Sequence, residues 1–236
     1  MTGTPPKNHS ICVESPWLFF NNLDWSSLTN GTEPAKVRKN TYLYHQNQPC
    51  SFVYIIKTGR VSLRIVNSEG KSKTLFFLCE GALFGEISRF TTPESCAESK
   101  TVCDSEIYMI NHDKFKSVFK SDSTIAHNTA VVLSKKVRTL TSQMERMMMP
   151  VAAMRISDVL LYLVEQYGKP FNGGTLLTIR ISHQELAELL GVSRITITNS
   201  LAKMMSDGII SKHRGHMLIH DAGQLLRFCR LNVQRP

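Results

Sequence analysis

Residues 182–205, SHQELAELLGVSRITITNSLAKMM, constrain the fold more than any other stretch. Leu186, Ala187, Leu189 and Leu190 give a helix an apolar face at i, i+3 and i+4 spacing. Gly191 follows, where a helix end favours a left-handed residue. Ser193 then offers its hydroxyl to a free N–H in the first turn of a second helix. Small Ala187 lets the two helices cross closely. The second helix buries Ile197 and Leu201, with Arg194, Ile195, Thr198 and Asn199 outward or at its N-terminal end. A helix presenting such groups fits the major groove of B-DNA. An ordinary helical hairpin shares this pattern, so the residues that follow matter. Asp207-Gly208 ends the helix, and Ile209–His220 reads as two short strands around a basic turn. Four Lys/Arg and one acid lie between Arg194 and His216. A winged helix-turn-helix is expected, with Arg214 at the wing tip set to touch phosphate. Such contacts give affinity without sequence information.

The formal charge of +9, from 28 Lys/Arg against 19 Asp/Glu, favours a polyanionic partner but does not locate its surface. No apolar run reaches the length of a membrane span and no signal peptide is legible, so a cytoplasmic chain without membrane contact is expected. The polar MTGTPPKNHS is expected to be disordered. The six cysteines, Cys12, Cys50, Cys79, Cys96, Cys103 and Cys229, form no CxxC and read as reduced thiols. Between residues 36 and 111 the only histidine is His45. A cupin-type metal or catalytic barrel needs two or three His and a Glu. No metal site and no enzyme are expected.

Residues 36–111 read as β: short runs such as FVYIIKTGRVSLRIV are broken by Gly59, Gly70 and Gly81, with a hairpin turn at Asn67–Gly70. That spacing suggests a small barrel or roll. A short amphipathic helix near His112–Lys120 comes next, and Ser121-Asp122-Ser123 offers an N-cap to a longer one. Along it Ala126, Ala130, Leu133, Val137, Leu140, Met144 and Met147 alternate steps of four and three. This heptad seam marks a helix that pairs with another. Homodimerisation through Ala130, Leu133, Val137, Leu140, Met144 and Met147 is expected. A two-fold dimer sets two recognition helices about 34 Å apart, one turn of DNA. Pro150 ends or kinks this helix, and Met148–Val151 reads as a hinge. Residues 152–167 form the next helix, 169–174 a loop and TLLTIRIS a strand.

This order of elements resembles the cyclic-AMP receptor protein/FNR (Crp/Fnr) superfamily of bacterial transcription regulators, over roughly residues 20–225. YIIKTGRVSL around Gly59, Phe84-Gly85-Glu86, Arg155-Ile156 and QELAELLGVSR carry the resemblance. It implies an α+β chain. Residues 1–22 are an N-terminal segment and 23–120 a β-roll (cyclic-nucleotide-binding-like jelly roll) that senses an effector. Residues 121–149 are the dimerisation helix and 150–236 the winged helix-turn-helix. The implied pocket is lined by Phe84, Gly85 and Glu86 of the roll with Leu140, Thr141 and Met144 of the helix. Members that bind cyclic AMP follow Gly-Glu with an Arg-Ser that grips the phosphate. Here Pro93 or Glu94 stands in the place of that Arg, so cyclic AMP is not expected and another small molecule is. An iron–sulfur cluster lacks its N-terminal cysteines, since only Cys12 lies there. Haem would fall back on His45, Cys79 or His112, and neither cofactor is expected. A thiol switch through Cys96 and Cys103, or Cys12, and a constitutive regulator are the alternatives. An activator of this kind would also touch RNA polymerase.

By the same resemblance the base readers are Arg194, Ile195 and Asn199. Arg194 suits guanine, Ile195 a thymine methyl and Asn199 adenine. Ser182, Gln184, Ser193, Thr196 and Lys203 are placed for phosphate. The expected partner is a palindromic double-stranded DNA site with half-sites richer in A/T than TGTGA.

Overall fold

The computed structural model describes residues 16–149 and 151–230, the side chains of 228–230 excepted. Two sheets face each other in the N-terminal half. Strand β1 (Trp17–Leu18) leads through a short helix, α1 (Ser26–Thr29), to β2 (Ala35–Val37), β3 (Tyr42–Tyr44), β4 (Phe52–Thr58), β5 (Val61–Val66), β6 (Ser72–Leu78) and β7 (Leu83–Phe84). After the single-turn helix α2 (Ile87–Phe90) come β8 (Glu98–Thr101) and β9 (Ser105–Asn111). One sheet runs β1-β6-β5-β8-β3 and the other β2-β9-β4-β7. The core they form buries Val53, Ile55, Leu63, Phe76, Leu78, Leu83 and Ile107. The expected β-roll is thus in place. The Asn67–Gly70 turn closes as a hairpin, with the Asn67 N–H donating to the Lys71 carbonyl at 3.0 Å.

The boundary drawn after residue 22 needs correction. Trp17 and Leu18 pair in parallel with Phe77 and Leu78, and Phe20 is fully buried, so these residues belong to the folded body. The first ten residues, expected to be disordered, lie outside the described residues.

Helix α3 (His112–Ser121) packs Phe115 into the roll, and Asp122 caps α4 (Ser123–Met147) by accepting the Thr124 N–H at 2.8 Å. This long helix has two unlike faces. The inner one buries Ile125 and Val132 but is otherwise polar, with Asn128, Thr129, Lys136, Thr139, Gln143 and Arg146. The outer one exposes Val137, Met144 and Met147 of the expected seam, while Leu140, expected at the same interface, packs against the roll core. The helix stops at Met147 and α5 (Ala152–Tyr167) starts after Val151, which places a break at the expected hinge; Pro150 itself is not among the described residues.

The supposed loop at 169–174 is largely a hairpin. β10 (Gly168–Phe171) pairs with β11 (Gly174–Leu177) across Asn172-Gly173, both at positive φ as a tight primed turn requires. The strand expected over 175–182 therefore ends at Leu177. Then come α6 (His183–Leu190), α7 (Arg194–Ser206), β12 (Ile210–His213), β13 (His216–Ile219) and α8 (Ala222–Arg230), with a sheet in the order β10-β11-β13-β12.

Candidate DNA interface and effector site

Leu186, Ala187, Leu189 and Leu190 of α6 are all buried against Ile197, Leu201 and Met204 of α7. Ser182 and Glu185 form a reciprocal capping box at the start of α6. Gly191 takes φ 65°, the left-handed turn that only glycine adopts without strain. Ser193 caps α7 by accepting the Thr196 N–H at 3.0 Å. These local choices fix the angle of α7, and its outer face presents Arg194, Ile195, Asn199 and Lys203 to solvent. Ile195 is 72% exposed. Among the described residues no side-chain hydrogen bond engages Arg194 or Asn199. Thr198 differs: its hydroxyl donates to the Arg194 carbonyl at 2.9 Å and meets His183 Nδ1 at 2.9 Å, so it is tied within the module. Thr196 is half-buried, while Ser182, Gln184 and Ser193 are exposed along the same side. Gln184 is held by Glu188 at 2.8 Å. Arg214, at φ 48°, stands beside Gly215 in the two-residue wing turn, and Arg180 donates to the Arg214 carbonyl at 3.4 Å. The eye of the module is thus a cationic, hydrogen-bonding face of groove-reading size.

In the roll, Phe84 is buried in a stack with Tyr54, ring centroids 4.9 Å apart, and Tyr44 leans on both. Gly85, at φ 83°, lies so close to Phe52 that a Cβ would sit 2.6 Å from the Phe52 carbonyl oxygen. Glu86 is fully buried, and its partner comes from α4. Lys136 Nζ donates to Glu86 Oε1 at 2.8 Å and to the Leu83 carbonyl at 3.0 Å. Burial, with the Glu86 charge adding to it, pushes the Tyr44 hydroxyl well above its ordinary pKa. Of the two residues expected in the place of a gripping Arg, Pro93 accepts the Cys50 N–H through its carbonyl at 3.1 Å and Glu94 forms a β-bridge with Pro49.

A cyclic nucleotide-binding domain family matches residues 34–122, and a Crp-like helix-turn-helix domain family matches residues 154–228. The chain belongs to the Crp/Fnr family of transcription regulators. It is 28% identical over 190 residues to the cyclic AMP receptor protein of Thermus thermophilus, covering 78% of this chain and 85% of that one. It is 24% identical over 187 residues to the anaerobic regulatory protein of Bacillus subtilis, covering 78% and 79%. A solved structure of a CooA variant from Carboxydothermus hydrogenoformans superposes with a TM-score of 0.75 at 22% identity, over 87% of this chain and 91% of that one. This chain is therefore a DNA-binding regulator of the Crp/Fnr type, and its relatives' names differ in the signal they announce.

Of the residues expected to line the effector pocket, consecutive Phe84, Gly85 and Glu86 lie in the roll, and half-buried Leu140 packs against its core. Thr141 and Met144 do not join them in the protomer. Both are exposed on the outer face of α4, Met144 at 69%. Sequence reasoning missed Lys136, four residues before Leu140, because it sought apolar periodicity and the inner face of α4 is polar. The haem fallbacks stand apart: His45 stacks on Tyr42, Cys79 is buried with its thiol pushed up to about 12 by desolvation, and His112 starts α3. Cys96 and Cys103 are free thiols beyond opposite ends of β8. That strand alone spans about 10 Å, more than a disulfide bridges, so pairing them requires β8 to come apart. Cys12 is not among the described residues, nor is the side chain of Cys229. No described helix is long and apolar enough to cross a membrane.

Proposed function

We propose that this regulator acts as a homodimer on a two-fold palindromic site and is controlled by a small molecule other than cyclic AMP. The dimer rests on the outer face of α4. Val137, Met144 and Met147 are 62%, 69% and 58% exposed in a single chain, a helical apolar stripe with no cover. Burying it against a second copy of α4 sets the two recognition helices on one face of DNA. The rejection of cyclic AMP is supported by the buried Lys136–Glu86 pair, which already occupies Glu86, and by the sequence, which has Pro93 or Glu94 where the phosphate-gripping Arg is expected. A constitutive regulator is the second reading. The same Lys136 bond joins α4 to the roll with no added molecule, as an effector otherwise would.

Selection of DNA sites from a random pool, with and without a metabolite extract, tests both. A palindrome enriched only with extract supports effector control, and one enriched in both arms supports the constitutive reading. TGTGA half-sites would overturn the assignment of the readers. On the selected site, Asn199→Ala is expected to weaken binding by about 1–3 kcal/mol at one base pair. Lys203→Ala is expected to weaken all sequences alike and flatten the salt dependence.

A further inference from the structure

Three cations converge where the roll, the long helix and the DNA-binding module meet. Lys73 comes from β6, Arg146 from the last turn of α4 and Arg155 from α5. They line a cavity of ≈ 10 Å³ together with Gln143, Met147, Leu189 and Leu190. One carboxylate opposes them: Arg146 Nε donates to Asp158 Oδ2 at 2.6 Å. Two of the cations also reach the carbonyl end of α6, Lys73 Nζ to Leu189 at 2.9 Å and Arg155 Nη1 to Leu190 at 3.5 Å. That arrangement suits a helix C-terminus but leaves most of the guanidinium edge unused.

The unused donors are specific. Arg146 is 4% exposed, and neither Nη1 nor Nη2 has a hydrogen-bond partner among the described residues. Arg155 Nε is buried without one as well. A buried, charged donor left unpaired bears its full desolvation penalty, so three on residues lining one cavity call for an acceptor. Burial, and then the fields of Arg155 and Arg146, hold the Lys73 ammonium below its ordinary pKa, as expected beside uncompensated positive charge.

We infer that this junction is a binding site for a small oxyanion of the phosphate class, held by Arg146, Arg155 and Lys73. Guanidinium groups match such an anion bidentately. Gln143 refines the choice. Its Nε2 donates to the Leu75 carbonyl, and its Oε1 is buried without a partner. Gln143 lines the cavity, and an anion that carries an O–H, as hydrogen phosphate does and sulfate does not, would satisfy this acceptor. The cavity is about one water in size. Phosphate is larger than water, so its binding requires the wall to open, and the wall includes exposed Met147, a flexible thioether. The site is separate from the Glu86 pocket and touches none of the proposed base readers. An anion there ties β6, α4, α5 and α6 together through one charge.

The test is a titration of the full chain with inorganic phosphate, sulfate and chloride at fixed ionic strength, by calorimetry and thermal melting. Phosphate is expected to give saturable heat and a rising melting temperature, ahead of sulfate and well ahead of chloride. Arg146→Gln is expected to weaken phosphate by about tenfold or more. Lys73→Gln keeps the Arg146–Asp158 pair and serves if Arg146→Gln does not fold; it is expected to weaken phosphate several-fold. Arg214→Ala in the wing is expected to change nothing, which separates the site from the DNA face. Glycerol phosphate distinguishes the source: tighter binding than phosphate assigns a phosphorylated metabolite, weaker binding the free ion. No saturable response, an equal response to all three ions, a response kept in both Lys73→Gln and Arg146→Gln, or one lost in Arg214→Ala would overturn the proposal.

Discussion

At the scale of single residues, the Lys136–Glu86 pair carries more than its two charges suggest. Both side chains are almost fully buried, and Glu86 Oε2 has no partner among the described residues. Removing one member strands the other charge in the core, which costs about 3–5 kcal/mol. Lys136→Met is therefore expected to lower stability by that order in urea unfolding. The double variant Lys136→Met/Glu86→Gln is expected to recover most of the loss, because it removes both desolvated charges. A double variant as unstable as the single one would show that Lys136 acts by packing alone. His183 is the second informative residue. Burial, then Lys212 and Arg194, hold its imidazole below the ordinary 6.5. As pH falls, the unfolded chain takes up this proton before the folded one. Stability is therefore unaffected well above pH 6.5 and declines as pH drops through 6.5 towards the folded-state pKa. His112, lowered by burial and Arg89, acts in the same direction. His183→Gln is expected to make the fall in melting temperature between about pH 6.5 and 5 shallower. An unchanged slope would assign the decline to His112 and the acid groups.

At the scale of elements, the sequence was most legible where local chemistry and burial agree. The α6–turn–α7 unit reads directly because its caps, its glycine and its apolar face lie within 25 residues and each satisfies its own backbone. On the outer face of α4 the exposed Val137, Met144 and Met147 follow from period alone, whereas Leu140, on the same period, packs inward against the roll. The inner face of α4 does not, since its polar groups are satisfied by residues far away in the chain. Asn128 donates to the Asp24 carbonyl at 2.7 Å, Lys136 to Glu86 and Gln143 to Leu75. Patterns that equate burial with hydrophobicity pass over such a face. The β10–β11 hairpin was hidden by Pro170, which edge strands tolerate. The seam supports a direct prediction. A buried apolar side chain contributes about 1.5–3 kcal/mol, and two-fold symmetry counts each one twice. Val137→Glu combined with Met144→Glu is expected to convert a dimer into a folded monomer in sedimentation equilibrium, with helix content retained in circular dichroism. A dimer that survives both changes would place the interface elsewhere.

At the scale of the whole molecule, the DNA-binding module is docked on the roll, and the docking contacts fall on the helix that positions the reader. Arg60 pairs with Glu185 at 2.8 Å, Lys73 caps α6, and Trp17 stacks on Phe77 at 5.3 Å beneath the module. Glu185 serves twice, since its other oxygen accepts the Ser182 N–H at 2.7 Å in the capping box. Beside this contact lies a cleft of ≈ 900 Å³, with Gln184, Ser193 and Arg194 on one wall and the β5–β6 hairpin, Val66 to Lys73, on the other. It admits a side chain or a small molecule. It does not admit a duplex whose major groove alone is about 12 Å wide and 8.5 Å deep. Full entry of α7 into DNA then requires the module to swing from the hairpin, and the docking energy opposes that swing. Arg60→Glu, which sets two carboxylates face to face at the docking contact, is expected to tighten binding to the selected DNA site several-fold and to speed hydrogen exchange in α6. The sign makes this diagnostic. The substitution removes one positive charge and adds one negative charge, lowering the net charge from +9 to +7, which by electrostatics alone weakens DNA binding. A gain can therefore come only from release of the module, and equal or weaker binding in anisotropy titrations would mean that docking does not restrain the reader.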